Sequence, residues 1–398
     1  MQDLNHQIKA YALEYFDEVR EIRRHIHKNP ELSFEEHKTA QFVQDKLNEL
    51  NISFTSGHVK TGVVGHITGK VPGKGKTVAL RADMDALPIQ ESNSSSYCSI
   101  NDGVMHACGH DVHTASLLGA AKIIKQLEDS FSGTIVLIFQ PGEEEHPGGA
   151  KLLLEEGVLQ KFSPDIILGQ HVLPEMEVGH VGFRSGMYMA SGDEIHFKVK
   201  GKGGHGALPH KITDTVLTTA HVITSLQQIV SRNAPATIPT VLSFGKVIAD
   251  GATNIIPNEV TVAGTFRTMD ETWRAEAKRR MVEIGNGVAS SMGAKIEMDI
   301  KHGYPVLHND EKVTQRAKQY ATELLGEVNV EEMDLRMTCE DFAYYSLSYP
   351  VCFMRFGVRA KGEEPKGGLH TPKFDIDENA LKTSMANLAY LAIRFINE

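Results

Sequence analysis

From residue 77 onward, short apolar runs alternate with longer helical stretches, as expected of a parallel sheet covered on both faces. Three of these runs lead straight into chemistry: 77–81 (TVALR) into Asp83 and Asp85, 134–139 (TIVLIF) into Glu143 and Glu144, and 165–168 (DIIL) into His171. Open α/β sheets place their ligand crevice beyond the carboxyl ends of the strands, so these side chains are predicted to converge. Between about 185 and 301 the grammar changes: Ile195, Phe197 and Val199 alternate with polar residues in a strand over 193–200. A helix (213–230), two strands (239–248, 259–267), a second helix (272–290) and a strand (295–300) follow. That βαββαβ order is ferredoxin-like. Helix and strand patterning then resumes at 312–325, 351–356 and 378–396. The pattern predicts an α/β domain with a mostly parallel sheet flanked by helices, residues 1–184 and 302–398, interrupted by a smaller α+β domain, 185–301.

A chain of 398 residues with 41% hydrophobic content exceeds the size at which one core stops growing, which agrees with two domains. The net charge of −10 and the lack of a long Lys/Arg run exclude a nucleic-acid footprint. Four scattered cysteines, Cys98, Cys108, Cys339 and Cys352, form neither a disulfide framework nor a CxxC pair, which suits a reducing compartment. Residues 1–24 are polar and helix-like, without the apolar core of a signal peptide. No run approaches the roughly 18–20 apolar residues of a membrane span. A soluble, cytoplasmic protein is expected.

The run 105–113 (MHACGHDVH) packs a thiol, three imidazoles and a carboxylate into nine positions. Cys108 and His110 are two apart, a spacing that shares no helix face, so they converge only from a loop or turn ahead of the apolar run 115–121. Glu144, His171 and His370 could complete a mixed N, O, S shell suited to zinc or a similar divalent ion. Five donors exceed the roughly three protein ligands of one catalytic zinc, which favours two ions sharing a bridging ligand. In Glu143-Glu144-Glu145 adjacent carboxylates cannot all face one way: one can ligate while its neighbour serves as general base, and Glu145 reads as a solvated turn residue. Asp83 and Asp85 have the period-two spacing that points both to one side of an extended segment, where one could orient a histidine; an ion pair with Arg81 or a helix cap is the alternative.

The run 201–206 (GKGGHG) matches the dinucleotide pattern GxGxxG, but Pro209 and His210 delay the helix that should start there, and the preceding strand alternates. A glycine-rich loop presenting His205 as a donor to a substrate oxygen fits better. Asn254, between two predicted strands, and Arg267, near the end of the second, could face a ligand, arginine being suited to bidentate carboxylate recognition. His25, His27, Met187 and Met189 read as core or surface residues.

Taken together these residues resemble the dinuclear-metal amidohydrolases: aminoacylases, hippurate hydrolases, indole-acetyl-amino-acid hydrolases and related carboxypeptidases. The matching blocks run in order from RRHIHKNPEL (23–32) through RADMDALPI (81–89), MHACGHDVHTA (105–115), FQPGEEE (139–145) and GQHV (169–172). They continue with GGHGALPH (203–210), TNIIPNEV (253–260), CEDFAYY (339–345) and LHTPKFDIDE (369–378). The resemblance implies that Cys108, His110, Glu144, His171 and His370 ligate two divalent ions (Zn, Mn, Co or Ni) and that Glu143 is the general base. It implies a lid domain through which many members dimerise, so a homodimer or higher homo-oligomer is expected. His205 resembles the lid histidine that stabilises the oxyanion, Asn254 and Arg267 resemble lid residues holding a substrate carboxylate, and Asp85 resembles the acid that orients a metal ligand. Asp83 replaces the histidine of the usual His-x-Asp pattern. Gly142 and Glu145-His146-Pro147 depart from the common Ala before and Gly after the paired glutamates, and Cys339 stands where relatives commonly carry a small residue. The implied reaction is hydrolysis of an N-acyl amino acid, with a carboxypeptidase or dipeptidase as the alternative. A non-catalytic metal-binding protein would have no need of an unligated Glu143.

Overall fold

The structure, a computed structural model, describes residues 2–398. Its chain forms two compact units, one of residues up to 186 with 308–334 and 341–398, the other of 187–307 with 335–340.

The first unit is built on eight strands: β1 (Ser53–His58), β2 (Gly62–Thr68), β3 (Thr77–Asp83), β4 (Thr134–Gln140), β5 (Ile166–Glu177), β6 (Val181–Phe183), β7 (Val330–Glu332) and β8 (Val351–Arg359). Their order is β1-β2-β4-β3-β5-β8-β6-β7. The centre, β4-β3-β5-β8, is parallel, while β1, β2 and β6 join antiparallel. The central strands are continuous apolar runs because both their faces are covered. The helices are α1 (Gln2–Glu14), α2 (Phe16–Lys28), α3 (His37–Glu49), α4 (His110–Gln126), α5 (Gly149–Glu155), α6 (Glu311–Leu325) and α7 (Ala380–Ile396). The polar, helix-like N-terminus consists of the two helices α1 and α2. Helix α4 is apolar nearly all round, with Val112, Ala115, Leu117, Ala120 and Ile124 buried, and it packs in the core beside the equally buried α7.

One strand departs from its expected extent. The 165–168 run continues through His171 to Glu177, so His171 lies within β5 rather than just past its end. The extension exists because β8 offers it a partner, with Arg355 opposite His171, after β3 has stopped pairing at Arg81 opposite Gly169.

The second unit is a four-stranded antiparallel sheet ordered Thr240–Ile248, Glu259–Thr268, Ser191–Lys200, Lys295–Lys301, with helices Thr215–Leu226 and Glu271–Ser291. The alternation in its first strand is realised: Ile195, Phe197 and Val199 are buried with Val222, Leu226, Trp273, Ala277 and Met281. Asp214 and Asp270 cap the two helices through the amides of Leu217 and Trp273. After the glycines of 201–206 the next α-helix starts only at Thr215, which removes the dinucleotide reading. Among the described residues no helix is long and apolar enough to cross a membrane.

Candidate metal centre

The first unit brings five of the expected donors together. Donor atoms of Cys108, His110 and His171 lie within 4.8 Å of one another, as do those of Cys108, Glu144 and His370, and those of His110, Glu143 and Glu144. The three groups overlap in Cys108, His110 and Glu144. Cys108 Sγ is 3.4 Å from His171 Nε2 and 3.3 Å from His370 Nε2, and His370 Nε2 is 3.2 Å from Glu144 Oε1. Around one ion with bonds of about 2.0–2.3 Å, tetrahedral ligands stand about 3.3–3.7 Å apart, so these spacings are close to those of donors sharing a metal.

The rings are turned to ligate. His171 donates from Nδ1 to the carbonyl of Val172 (2.8 Å), which leaves the Nε2 lone pair facing Cys108. His110 directs Nδ1 to Asp85 Oδ1 (3.1 Å), while its Nε2, buried and without a hydrogen-bond partner, faces Glu144. Glu144 Oε1 is likewise buried and makes no hydrogen bond, although two imidazole nitrogens lie within 4 Å. Orphaned buried atoms are rare unless something else takes their lone pairs, and these two belong to the same donor set. His370 adopts a left-handed backbone (φ +59°) and is tied to the Cys108 loop by its amide, which donates to the Ala107 carbonyl (2.8 Å).

Charge agrees with geometry. Burial opposes protonation of His110, but Asp83, Asp85 and Glu144 outweigh it and hold the imidazole up to about 10. Burial, then Glu144, Glu143 and Asp83, push the Cys108 thiol well above its ordinary value. Burial, with Arg355 and His113, keeps His171 neutral. A cluster of carboxylates around a thiol and imidazoles suits a divalent cation, whose charge opposes protonation of His110 and favours the Cys108 thiolate. The residues present therefore fit the metals that the sequence implies.

Glu143 sits beside this set, 6% exposed, and accepts from the amide of Asp341 (3.3 Å). The two aspartates do different work. Asp85 accepts from His110 Nδ1, from Ser33 Oγ (2.6 Å) and from the Glu144 amide (2.9 Å), so it orients one donor and fixes the backbone of another. Asp83 bonds Arg81 Nη1 (2.6 Å) and His113 Nδ1 (2.6 Å). Arg81 also reaches Asp341 and Gln140, so the ion-pair reading of Asp83 describes part of a buried network.

In the second unit, His205 and Asn254 come side by side: Gly204–His205 pairs with Ile255–Ile256, and the Gly206 amide donates to the Asn254 carbonyl (2.8 Å). Both residues are exposed. His205 Nδ1 accepts from the Ala207 amide (3.1 Å), which leaves Nε2 as the ring's donor. Arg267 is not part of that pair. It lies on the 259–268 strand, donates to Cys339 Sγ, and has no carboxylate partner among the described residues.

Several contributors escaped the sequence reading. His113 accepts from the Val172 amide at Nε2 (2.9 Å), linking Asp83 to the backbone beside His171. Its position three residues after His110, on one helix face, was the available signal. His27, buried, bonds Asp111 (2.8 Å) and Glu91 (3.2 Å) within a cluster that includes Arg23. Glu36 lies wholly buried next to the 141–144 loop.

A family model described as peptidase family M20/M25/M40 matches residues 79–394. The N-acyl-L-amino acid amidohydrolase of Geobacillus stearothermophilus is 44% identical over 306 residues, 77% of this chain and 82% of that one. The IAA-amino acid hydrolase ILR1-like 4 of Arabidopsis thaliana is 39% identical over 390 residues, 97% and 87% of the two chains. The crystal structure of the Bacillus subtilis YXEP protein, a dinuclear metal binding peptidase from the M20 family, superposes with a TM-score of 0.82 at 32% identity, covering 96% of this chain and 98% of that one. With this agreement along nearly its whole length, the chain belongs to peptidase family M20/M25/M40, hydrolases that act on amide bonds.

Proposed function

We propose that the protein hydrolyses N-acyl amino acids to a carboxylic acid and a free amino acid, using two divalent ions. The observation that carries this reading is the overlapping donor set, Cys108–His110–His171 and Cys108–Glu144–His370, with Glu143 beside it. Divalent ions bound there would supply Lewis acidity to a carbonyl and to water. Glu143 takes a proton from the attacking water and returns it to the leaving nitrogen. His205, protonated at Nε2, donates to the developing oxyanion, Arg267 and Asn254 hold the amino acid's carboxylate, and Asp85 keeps His110 aligned. An arginine without an acidic partner supports the carboxylate assignment. Residues 185–301 serve as a lid, and the chain works as a homodimer through it. The exposed apolar residues of the 240–248 edge strand, Val241, Val247 and Ile248, favour that surface.

The test is an assay of the reduced protein, supplied in turn with zinc, manganese, cobalt and nickel, against N-acetyl and N-benzoyl amino acids and dipeptides. Chelator-sensitive release of amino acid from the acyl substrates, abolished in Glu143→Gln with metal content unchanged, is the expected result. Cleavage of dipeptides alone would replace the reading with a dipeptidase. Light scattering showing only monomer would remove the dimer.

A further inference from the structure

We propose that Glu36 is a positioning residue that braces the loop carrying Glu143 and Glu144. Glu36 stands at the N-cap of α3, but its side chain makes no capping bond. Its carboxylate, fully buried, turns away instead. Oε1 accepts from the Gly142 amide (2.8 Å) and from the Phe34 amide (3.0 Å), and Oε2 accepts from Thr61 Oγ1 (2.5 Å). Two residues further along the loop, the Glu144 amide donates to Asp85 Oδ2, which also holds Ser33 Oγ. The backbone of Glu143 is therefore pinned on both sides, at Gly142 by Glu36 and at Glu144 by Asp85, and both anchors are tied to the turn 33–36.

The turn itself is shaped for this contact. Phe34 has φ +63°, a left-handed conformation that a bulky side chain rarely adopts, and its ring lies against Gly142. A Cβ on Gly142, itself at φ +61°, would meet that ring at 2.3 Å. Ring and carboxylate thus seat the same residue from two directions. Helix capping does not explain this use of Glu36: its side chain bonds no amide of its own helix, and its partner Gly142 lies 106 positions away in sequence.

The role rests on the reading of Glu143 as proton carrier, but the brace is testable without it. In Glu36→Gln the oxygen that the amides of 142 and 34 share becomes that of a neutral amide, a weaker acceptor for both. Hydrogen exchange of a peptide spanning 141–145, measured on the metal-free protein, is expected to accelerate about tenfold or more while α4 and α7 exchange as in the parent. In the metal-loaded protein, kcat for N-benzoylglycine is expected to fall about 10–100-fold with KM within about threefold, the pattern of a misplaced catalytic group. Should Glu36→Gln fail to fold, Glu36→Asp keeps the charge and withdraws it from Gly142, with the same local acceleration expected. Thr61→Val, which removes only the bond distant from the loop, should change exchange at 141–145 much less. Parent-like exchange at 141–145 in the folded variant overturns the brace. If Glu143→Gln retains activity while Glu36→Gln still loosens the loop, the brace stands and the proton-carrier reading falls.

Discussion

Replacing Asp85 with asparagine tests whether a buried carboxylate that touches no substrate sets the strength of the metal site. Asp85 is 1% exposed and accepts three hydrogen bonds, from His110 Nδ1 (3.1 Å), Ser33 Oγ (2.6 Å) and the Glu144 amide (2.9 Å). Asparagine keeps the shape but turns one oxygen into a donor. With its oxygen toward His110, the new NH₂ meets the Glu144 N–H, leaving a buried donor unmet at about 1–3 kcal/mol, since Ser33 can rotate to accept but an amide cannot. With the NH₂ toward His110, the ring's proton is driven to Nε2 and the lone pair aimed at the donor set is lost. Either orientation degrades a ligand, and outer partners of this kind typically change affinity about 10–100-fold, or about 1.4–2.8 kcal/mol. Zinc affinity measured by competition with a chromophoric chelator should fall by that factor, while circular dichroism shows the fold retained. An affinity within about twofold of the parent, in a folded variant, would refute the reasoning.

Three further outcomes are expected. Asp193 and Arg274 form a buried bidentate pair (2.8 Å and 2.8 Å), so Asp193→Asn should lower stability by about 3–5 kcal/mol in urea unfolding at neutral pH. Burial raises the Asp193 pKa, but Arg274, Lys278 and the Gly303 amide outweigh that and hold it below the ordinary carboxylate value. The contribution is therefore complete above the unfolded-state pKa of about 3.9 and is lost as pH falls through the lower folded value; a gap between parent and variant that stayed constant down to the acid limb would contradict this. Arg267→Ala should reduce kcat/KM for N-acyl amino acids about 10–150-fold, mostly through KM, and leave the corresponding carboxamide substrates little changed; equal losses on both would deny it the carboxylate. In Gly149→Ala the new Cβ would lie 1.8 Å from the Pro141 carbonyl oxygen, forcing the base loop to move, so turnover should drop about 100-fold; an unaffected rate would show that the loop tolerates displacement.

The donor set was legible because its residue types are dense and its members follow apolar strands: Cys108 and His110 from spacing, Glu143 and Glu144 from a run ending in acids. The ferredoxin-like unit was legible for the same reason, since strict alternation at Ile195, Phe197 and Val199 admits few other structures. The end of β5 was not, because its last residues are extended only by pairing with β8, a partner that starts at Val351. The supporting shell was hidden by sequence distance: Arg81 meets Asp341 across 260 positions and Glu36 meets Gly142 across 106. Glu36 in the run Phe34-Glu35-Glu36 resembles a solvated helix start, and only burial distinguishes it from its exposed neighbour Glu35. His27 reads from the sequence as a core or surface residue, yet it belongs to a buried ionic cluster that no local pattern announces.

His370 occupies the left-handed region, where a non-glycine backbone stores about 1–3 kcal/mol that its surroundings must offset. Glycine or asparagine would sit there more comfortably. Selection for heat resistance alone should therefore enrich substitutions at this position that strip the enzyme of a donor. A thermostabilisation campaign on this protein needs an activity screen at every round, because here endurance and competence pull one residue in opposite directions.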